Sequence, residues 1–97
     1  MLMMKNPPHP GVILKEEFIN ALQLTVTGVA KKLRVNRSVL SNIINEKAGI
    51  SAEMSLKLAK LFNLDEDFFY NLQMIYDLAQ AKKNADLSLI EPIQDIA

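Results

Sequence analysis

A stretch of 23 residues near the middle of the chain, TVTGVAKKLRVNRSVLSNIINEK (residues 25–47), constrains the fold more than any other part. Its first part repeats apolar residues at the i, i+3, i+4, i+7 spacing of one helical face, at Val26, Val29, Ala30 and Leu33. Thr25 can act as the N-cap of this helix, and Asn36 offers a second N-cap after a turn at Arg34 and Val35. The stretch therefore predicts two short helices joined by a tight turn.

The second of these helices has two faces of opposite character. Its apolar stripe consists of Leu40, Ile43 and Ile44. Its outer face carries one cation, hydroxyls and amides but no carboxylate, at Arg37, Ser38, Ser41, Asn42 and Asn45. Arginine pairs with guanine, asparagine with adenine and serine with either, so this face suits base edges and phosphates. The pattern predicts a helix-turn-helix whose second helix enters the major groove of DNA; the alternative is a helical hairpin with a solvated polar face.

The net charge of zero conceals an uneven distribution of charge along the chain. Residues 24–47 contain five cations and one acid, a net charge of +4, whereas residues 48–97 contain four cations and eight acids, a net charge of −4. The basic charge coincides with the predicted helix-turn-helix, as DNA binding requires. The acids of the second half could attract a basic protein, or they could simply favour helix starts through the helix dipole.

Composition and motif content argue against several other classes of protein. Ninety-seven residues that are 49% hydrophobic suit one domain with a real core. The chain has no cysteine, a single histidine, no metal-ligand spacing and only three glycines, which argues against an enzyme, a metal site or a phosphate-binding loop. No apolar run approaches the roughly 20 residues that span a bilayer. We therefore expect a cytoplasmic protein without a cofactor, a membrane association or a small-molecule substrate.

The rest of the chain predicts three further helices, which makes the protein all-α and compact. Residues 1–9 are expected to be flexible, residues 10–83 to form the helix-turn-helix domain, and residues 84–97 to form a C-terminal tail. The first helix is predicted from Pro10 to about Leu22, with a buried face at Leu14, Phe18, Ala21 and Leu22. The fourth and fifth helices are predicted at about residues 52–62 and 66–83, with Ser51 and Asp65 as their N-caps.

The fifth helix is predicted to have two apolar faces. One broad face carries Phe68, Phe69, Leu72, Ile75, Tyr76 and Ala79, and the opposite one carries Tyr70, Met74, Leu78 and Ala81. A domain of this size can bury only one side of a terminal helix, so the second face, Tyr70, Met74 and Leu78 above all, suggests a dimer or partner surface. The alternatives are that the aliphatic tail folds back over this face, or that the tail adds to the edge of a partner.

Three segments resemble the HigA-type antitoxins of bacterial toxin–antitoxin systems, within the lambda-repressor-like (Xre) helix-turn-helix class. They are HPGVILKEEF (residues 9–18), the stretch from Leu24 to Phe62, and DFFYNLQMIYDLA (residues 67–79). The resemblance covers about residues 9–83 and implies a compact five-helix domain. It further implies a homodimer that binds an inverted-repeat operator, represses its own operon, and neutralises a small basic HigB-type toxin that cleaves mRNA.

The resemblance also implies which residues touch DNA. Arg37, Ser38, Ser41 and Asn42 would face the groove, with Arg37 the strongest candidate for a guanine contact. Phosphates would be met by Asn36 and Thr27 at helix N-termini, by Lys47 and, more weakly, by Lys32. The two-fold dimer would place its recognition helices about 34 Å apart.

Three residues depart from the family pattern. Val26 stands where a phosphate-binding glutamine is common, and Arg34 and Glu46 stand where glycines are usual. Glu46 would also repel a nearby phosphate. These departures leave two other functions open, a stand-alone repressor without a toxin and a protein-binding module that uses the helix-turn-helix only as a scaffold.

Overall fold

The computed structural model describes residues 6–94 and places five helices and no strand among them. The first, α1, is α-helical over Pro10–Ile13 and continues as a π-helix over Leu14–Asn20. It is followed by α2 (Val26–Leu33), α3 (Arg37–Ile44), α4 (Ala52–Phe62) and α5 (Phe68–Asn84). The prediction of an all-α, five-helix domain is confirmed. No helix within the described range has the length and apolar character needed to cross a bilayer.

The π-helical part of α1 buries different side chains from those predicted for a regular α-helix. Leu14 and Ile19 are buried, whereas Ala21 and Leu22, which were predicted to be buried, are exposed. The hydrogen bonds of a π-helix run from i to i+5, so a turn holds more residues than in an α-helix, and the next buried side chain after Leu14 is Ile19. The face predicted from a 3.6-residue period was therefore wrong beyond Phe18. The helix also ends earlier than predicted.

Two of the four predicted N-caps, Thr25 and Ser51, form the expected side-chain bond, whereas Asn36 occupies its predicted position without one. The Thr25 hydroxyl accepts a hydrogen bond from the Gly28 N–H at 3.0 Å, and the Ser51 hydroxyl accepts one from the Met54 N–H at 3.1 Å. The prediction that Asp65 caps α5 was wrong. The buried hydroxyl of Ser55 in α4 instead accepts from the Tyr70 N–H at 3.1 Å, while donating to the Glu66 carbonyl at 2.7 Å.

The core lies between α1, α2, α3, α4 and the first half of α5. Five large apolar side chains are at most 1% exposed and form its centre, Leu14, Val29, Leu40, Leu58 and Phe69. Phe18 packs on both Phe62 and Phe69, with ring centroids 5.0 and 5.3 Å apart. These contacts join α1 to α4 and α5.

The beginning of α1 is packed tightly against α3 and α5. A Cβ on Gly11 would stand 1.9 Å from the Ile43 carbonyl oxygen, so only glycine fits. The Nδ1 of His9 accepts from the Gly11 N–H at 2.9 Å, and its ring stands edge-on to Tyr76 at 4.9 Å. Pro7 and His9 are buried, so the expectation that nothing packs before Pro10 was wrong for them. Residues 1–5 of that predicted flexible segment lie outside the described residues.

Four helices end on a residue with a left-handed backbone. Gln23, Arg34, Glu46 and Asn63 have φ between 56° and 63°, and none of them is glycine. The backbone bonds around them are those of the Schellman motif, as in Lys47 N–H to the Asn42 carbonyl at 2.8 Å. Arg34 and Glu46 therefore adopt the conformation that the glycines of the family pattern would adopt, at a cost of about 1–2 kcal/mol each.

The second half of α5 and the residues after it extend away from the core. Every described residue from Ala81 to residue 94 is exposed. Leu87, Leu89, Ile90 and Ile93 are 64–91% exposed, so they do not fold back over α5, and Ile96 lies outside the described residues. The molecule is accordingly elongated, 55 × 25 × 23 Å.

Candidate nucleic-acid interface

The outer face of α3, the recognition helix, presents the polar side chains that the sequence predicts. Leu40, Ile43 and Ile44 are buried, as expected, and turn the opposite face outward. Arg37, Ser38, Asn42 and Asn45 are exposed and Ser41 is half-buried. No carboxylate belongs to this helix, so the surface offers hydrogen-bond donors and acceptors with a positive charge.

Arg37 is held by a residue of the preceding helix. Its Nε donates to the Thr27 hydroxyl oxygen at 3.1 Å. Because guanidinium carries five N–H donors, this bond leaves the four terminal N–H groups for a bidentate contact with guanine O6 and N7. The first turns of α2 and α3 thus lie together, and Thr27 orients the arginine that the sequence singles out.

The other polar residues of α3 differ in whether their side chains already form hydrogen bonds within the protein. The Asn45 Nδ2, one turn further along the chain, donates to the Ser41 hydroxyl oxygen at 3.3 Å and so orients the Ser41 hydroxyl. Asn42 makes no side-chain hydrogen bond within the described part of the chain, so its amide is available to an adenine edge. Asn36 occupies the N-cap position of α3 but its side chain makes no capping bond, which leaves the first N–H groups of α3 open.

The two lysines occupy different surroundings. Lys47 is exposed directly after the recognition helix, in the segment that carries Glu46. Lys32 lines a cavity between α2 and α4. It follows Thr27 by five residues, so the two side chains leave α2 in directions about 140° apart. The structure therefore does not group Lys32 with Thr27 and Arg37.

Val39 is a residue of this surface that the sequence analysis missed. It lies in the first turn of α3 between Ser38 and the buried Leu40, and it is 41% exposed. An exposed aliphatic residue beside polar base readers is suited to contact the methyl group of thymine. Its position in the sequence, outside the apolar stripe of Leu40, Ile43 and Ile44, could have indicated that Val39 is exposed.

Gln73 fixes the segment that follows the recognition helix, and this was also missed. Its Oε1 accepts from the buried Ile50 N–H at 2.7 Å, while its Nε2 donates to Asp77 at 2.9 Å. A Cβ on Gly49 would stand 3.0 Å from the Gln73 side chain, so this loop passes close to α5. Gln73 and Asp77, both within the third segment of the resemblance (residues 67–79), are therefore tied to the loop that follows α3.

The predicted partner face of α5 is uncovered. Tyr70, Met74 and Leu78 are 49%, 47% and 51% exposed, one turn apart along the helix. They form an apolar stripe on the side away from the core, whereas Phe68 packs edge-on to Phe18 on the other face of α5. That another macromolecule covers this stripe stays a prediction.

Comparison with known proteins places these features in a family. The helix-turn-helix family model matches residues 14–69. Virulence-associated protein A' of Dichelobacter nodosus is 51% identical over 79% of this chain and 67% of that protein. An HTH-type transcriptional regulator of Haemophilus influenzae is 40% identical over 86% of this chain and 78% of that protein. The structure of the Pseudomonas aeruginosa antitoxin HigA with the higBA promoter is similar, with a TM-score of 0.82 and 34% identity over 91% of this chain and 99% of that one.

Proposed function

The chain belongs to the helix-turn-helix family of transcription regulators, and from this premise we propose that it is an antitoxin that represses its own operon. It would bind operator DNA as a homodimer in the cytoplasm and neutralise a HigB-type mRNA endonuclease. The similarity to a solved HigA antitoxin–promoter structure supports this proposal.

The observation that carries the DNA-binding part is the bond between Thr27 and Arg37. It presents a guanidinium with four unused N–H groups at the start of a helix free of carboxylates. This arrangement supplies direct readout at α3 and phosphate contacts at the N-terminus of α3.

Binding of the purified protein to the DNA upstream of its own gene tests this part. The titration is repeated across salt concentrations and against a scrambled duplex of the same composition. We expect sequence-selective binding whose logarithm falls with the logarithm of salt concentration by about 0.9 per neutralised phosphate. Weak binding that does not distinguish the two duplexes would mean that the helix-turn-helix acts only as a scaffold.

The toxin-binding part is supported by the separation of charge between the halves of the chain. Residues 48–97 carry a net charge of −4, which favours a small basic partner. Co-expression with any small basic protein that is encoded beside the gene, followed by co-purification and an mRNA cleavage assay, tests this directly. Tight operator binding without such a partner would instead establish the alternative, a stand-alone repressor.

The dimer is supported by the uncovered stripe of α5. Burying Tyr70, Met74 and Leu78 between two copies would remove a large apolar surface from water. Light scattering should give twice the chain mass, and Leu78→Glu should shift it towards the monomer. Unchanged mass, toxin binding and stability in that variant would show that the stripe is not an interface.

A further inference from the structure

A groove with an apolar floor and a basic rim lies between α2 and α4. Its volume is about 510 Å³. The floor consists of leucines and the rim of lysines, with the lining residues Lys32, Leu33, Leu56, Lys57, Lys60 and Leu61. Leu56 is 49% exposed, so neither helix covers it. We call this surface the α2–α4 groove.

Two of the three lysines of the rim are not neutralised by the described part of the chain. Lys57 pairs with Glu53 at 3.3 Å. Lys32 and Lys60 form no ion pair with any described residue. An occupant that places aliphatic side chains on the floor and carboxylates at the rim would therefore satisfy both parts of the groove.

The residues after α5 have that composition. Residues 85–94 contain four large aliphatic residues and two acids but no cation, in the order Asp86, Leu87, Leu89, Ile90, Glu91 and Ile93. The aliphatic side chains are 64–91% exposed. The Ser88 hydroxyl and N–H both donate to Asp86, at 2.7 and 3.0 Å, and hold the pKa of that carboxyl below its usual value. We call residues 85–94 the C-terminal segment.

Charge distinguishes the groove from the other uncovered apolar surface. On the α5 stripe, Asp67 precedes Tyr70 by three residues, Asp77 follows Met74 by three and Lys82 follows Leu78 by four, so the two acids beside the stripe outnumber its one cation. Those carboxylates would repel Asp86 and Glu91. Of the two surfaces, the basic α2–α4 groove is therefore the better match for the acidic C-terminal segment.

We propose that the C-terminal segment of one copy occupies the α2–α4 groove of a second copy. Docking in the partner is favoured because α5 continues past its last contacts with the core, and every described residue from position 81 onward is exposed. The inference rests on the proposed homodimer. It adds a second interface, in which each copy clasps the other through an acidic, aliphatic segment.

Disulfide trapping tests the proposal cleanly because the chain has no cysteine. Full-length Leu56→Cys and full-length Ile90→Cys are mixed and oxidised, and the products are separated without reductant. We expect a covalent heterodimer. The matched control replaces Leu56→Cys with Leu22→Cys, a leucine that is 58% exposed at the end of α1, outside the groove; the heterodimer should then be at least tenfold less abundant.

A charge exchange provides an independent readout of the same contact. Lys60→Glu in the groove-bearing partner should slow trapping at least fivefold, since it opposes Glu91. Adding Glu91→Lys to the segment-bearing partner should restore the rate. Recovery in the double variant cannot arise from a folding defect in either chain.

Four outcomes would overturn the proposal, and they are distinguishable from failure of the proposed function. An intrachain disulfide in the Leu56→Cys, Ile90→Cys double variant, without trapping between the mixed single variants, would show that the segment covers its own groove. Equal trapping with the Leu22→Cys control would show random encounter. A wild-type protein of twice the chain mass without trapping would support the dimer but exclude docking of the C-terminal segment in the partner's groove. A monomeric wild-type protein would exclude both. Operator binding is measured separately and tests the DNA-binding part of the proposed function.

Discussion

The side-chain oxygen of Gln73 accepts a hydrogen bond from the backbone N–H of Ile50 at 2.7 Å, which ties α5 to the segment that follows the recognition helix. The same side chain donates to Asp77 and packs on Gly49. Both hydrogen-bonding ends of the amide are thus used, and the loop after α3 cannot move without breaking a buried bond. The position of the predicted DNA-contacting surface therefore depends on α5, although none of the predicted DNA contacts comes from α5.

Replacing Gln73 with Ala should destabilise the protein by about 1–3 kcal/mol, because the buried Ile50 N–H would lose its partner. Urea unfolding measures the loss. Gln80→Ala on the same helix is the control and should cost less than about 0.5 kcal/mol, since the Gln80 side chain makes no hydrogen bond with described residues. Equal effects of the two changes would contradict a specific role for the Gln73 bond.

Gly11→Ala should destabilise the protein by more than about 1–3 kcal/mol, the usual cost of one extra methyl group in a packed site. The new Cβ would meet the Ile43 carbonyl oxygen at 1.9 Å, and backbone atoms cannot turn aside as a side chain can. Thermal unfolding provides the measurement, with Lys15→Ala at an exposed position of α1 as the control. A melting temperature equal to that of the control would show that α1 and α3 do not approach so closely.

The helix-turn-helix was largely predictable from sequence because its determinants are local. The cap at Thr25 and the buried stripe of α3 follow from spacings within one helix, and both predictions are confirmed. The features that sequence reasoning missed depend on contacts between distant segments. Ser55 supplies the cap of α5 from another helix, and the close packing of Gly11 on α3 becomes visible only when the two are brought together. The DNA-contacting residues themselves remain predictions.

Arg37→Ala should remove about 1–3 kcal/mol of discrimination at one base pair and leave folding intact, because the side chain is exposed. Binding to the operator and to single-base variants reports the change. Thr27→Val should cause a smaller loss at the same base pair, since it removes only the bond that orients the guanidinium. Unchanged affinity and specificity in Arg37→Ala would show that Arg37 does not contact a base pair of the operator.

Glu46 allows backbone strain and charge to be separated by two substitutions. Its φ is 63°, a conformation that costs about 1–2 kcal/mol for any residue except glycine. Glu46→Gly removes both the strain and the negative charge beside the DNA-reading face. It should therefore stabilise the fold by about 0.5–1 kcal/mol, after the entropy cost of glycine, and strengthen DNA binding.

Glu46→Ala is the matched control because it removes the charge but retains the strain. It should strengthen DNA binding to a similar degree without the gain in stability. Urea unfolding and operator titration of both variants separate the two effects. If Glu46→Ala stabilises the protein as much as Glu46→Gly, the strain at this helix end is not what limits stability.

The exposed position of Val39 predicts that the affinity for the operator depends on single thymine methyl groups. Its exposed side chain lies beside Ser38 in the first turn of the recognition helix, where an aliphatic group can cover a thymine methyl. Replacing one thymine of the operator at a time by deoxyuridine deletes that methyl. At the contacted position we expect a loss of about 0.8 kcal/mol, roughly fourfold in affinity, because one methyl group is returned to water.

The same series in Val39→Ala isolates the contact, since the shorter side chain should be insensitive to the missing methyl. The control position is a thymine outside the half-sites, where both proteins should bind the two duplexes equally. A fourfold loss that persists in Val39→Ala would assign the methyl contact to another residue. The absence of any sensitive thymine in the wild-type protein would show that α3 enters the groove with Val39 directed away from the bases.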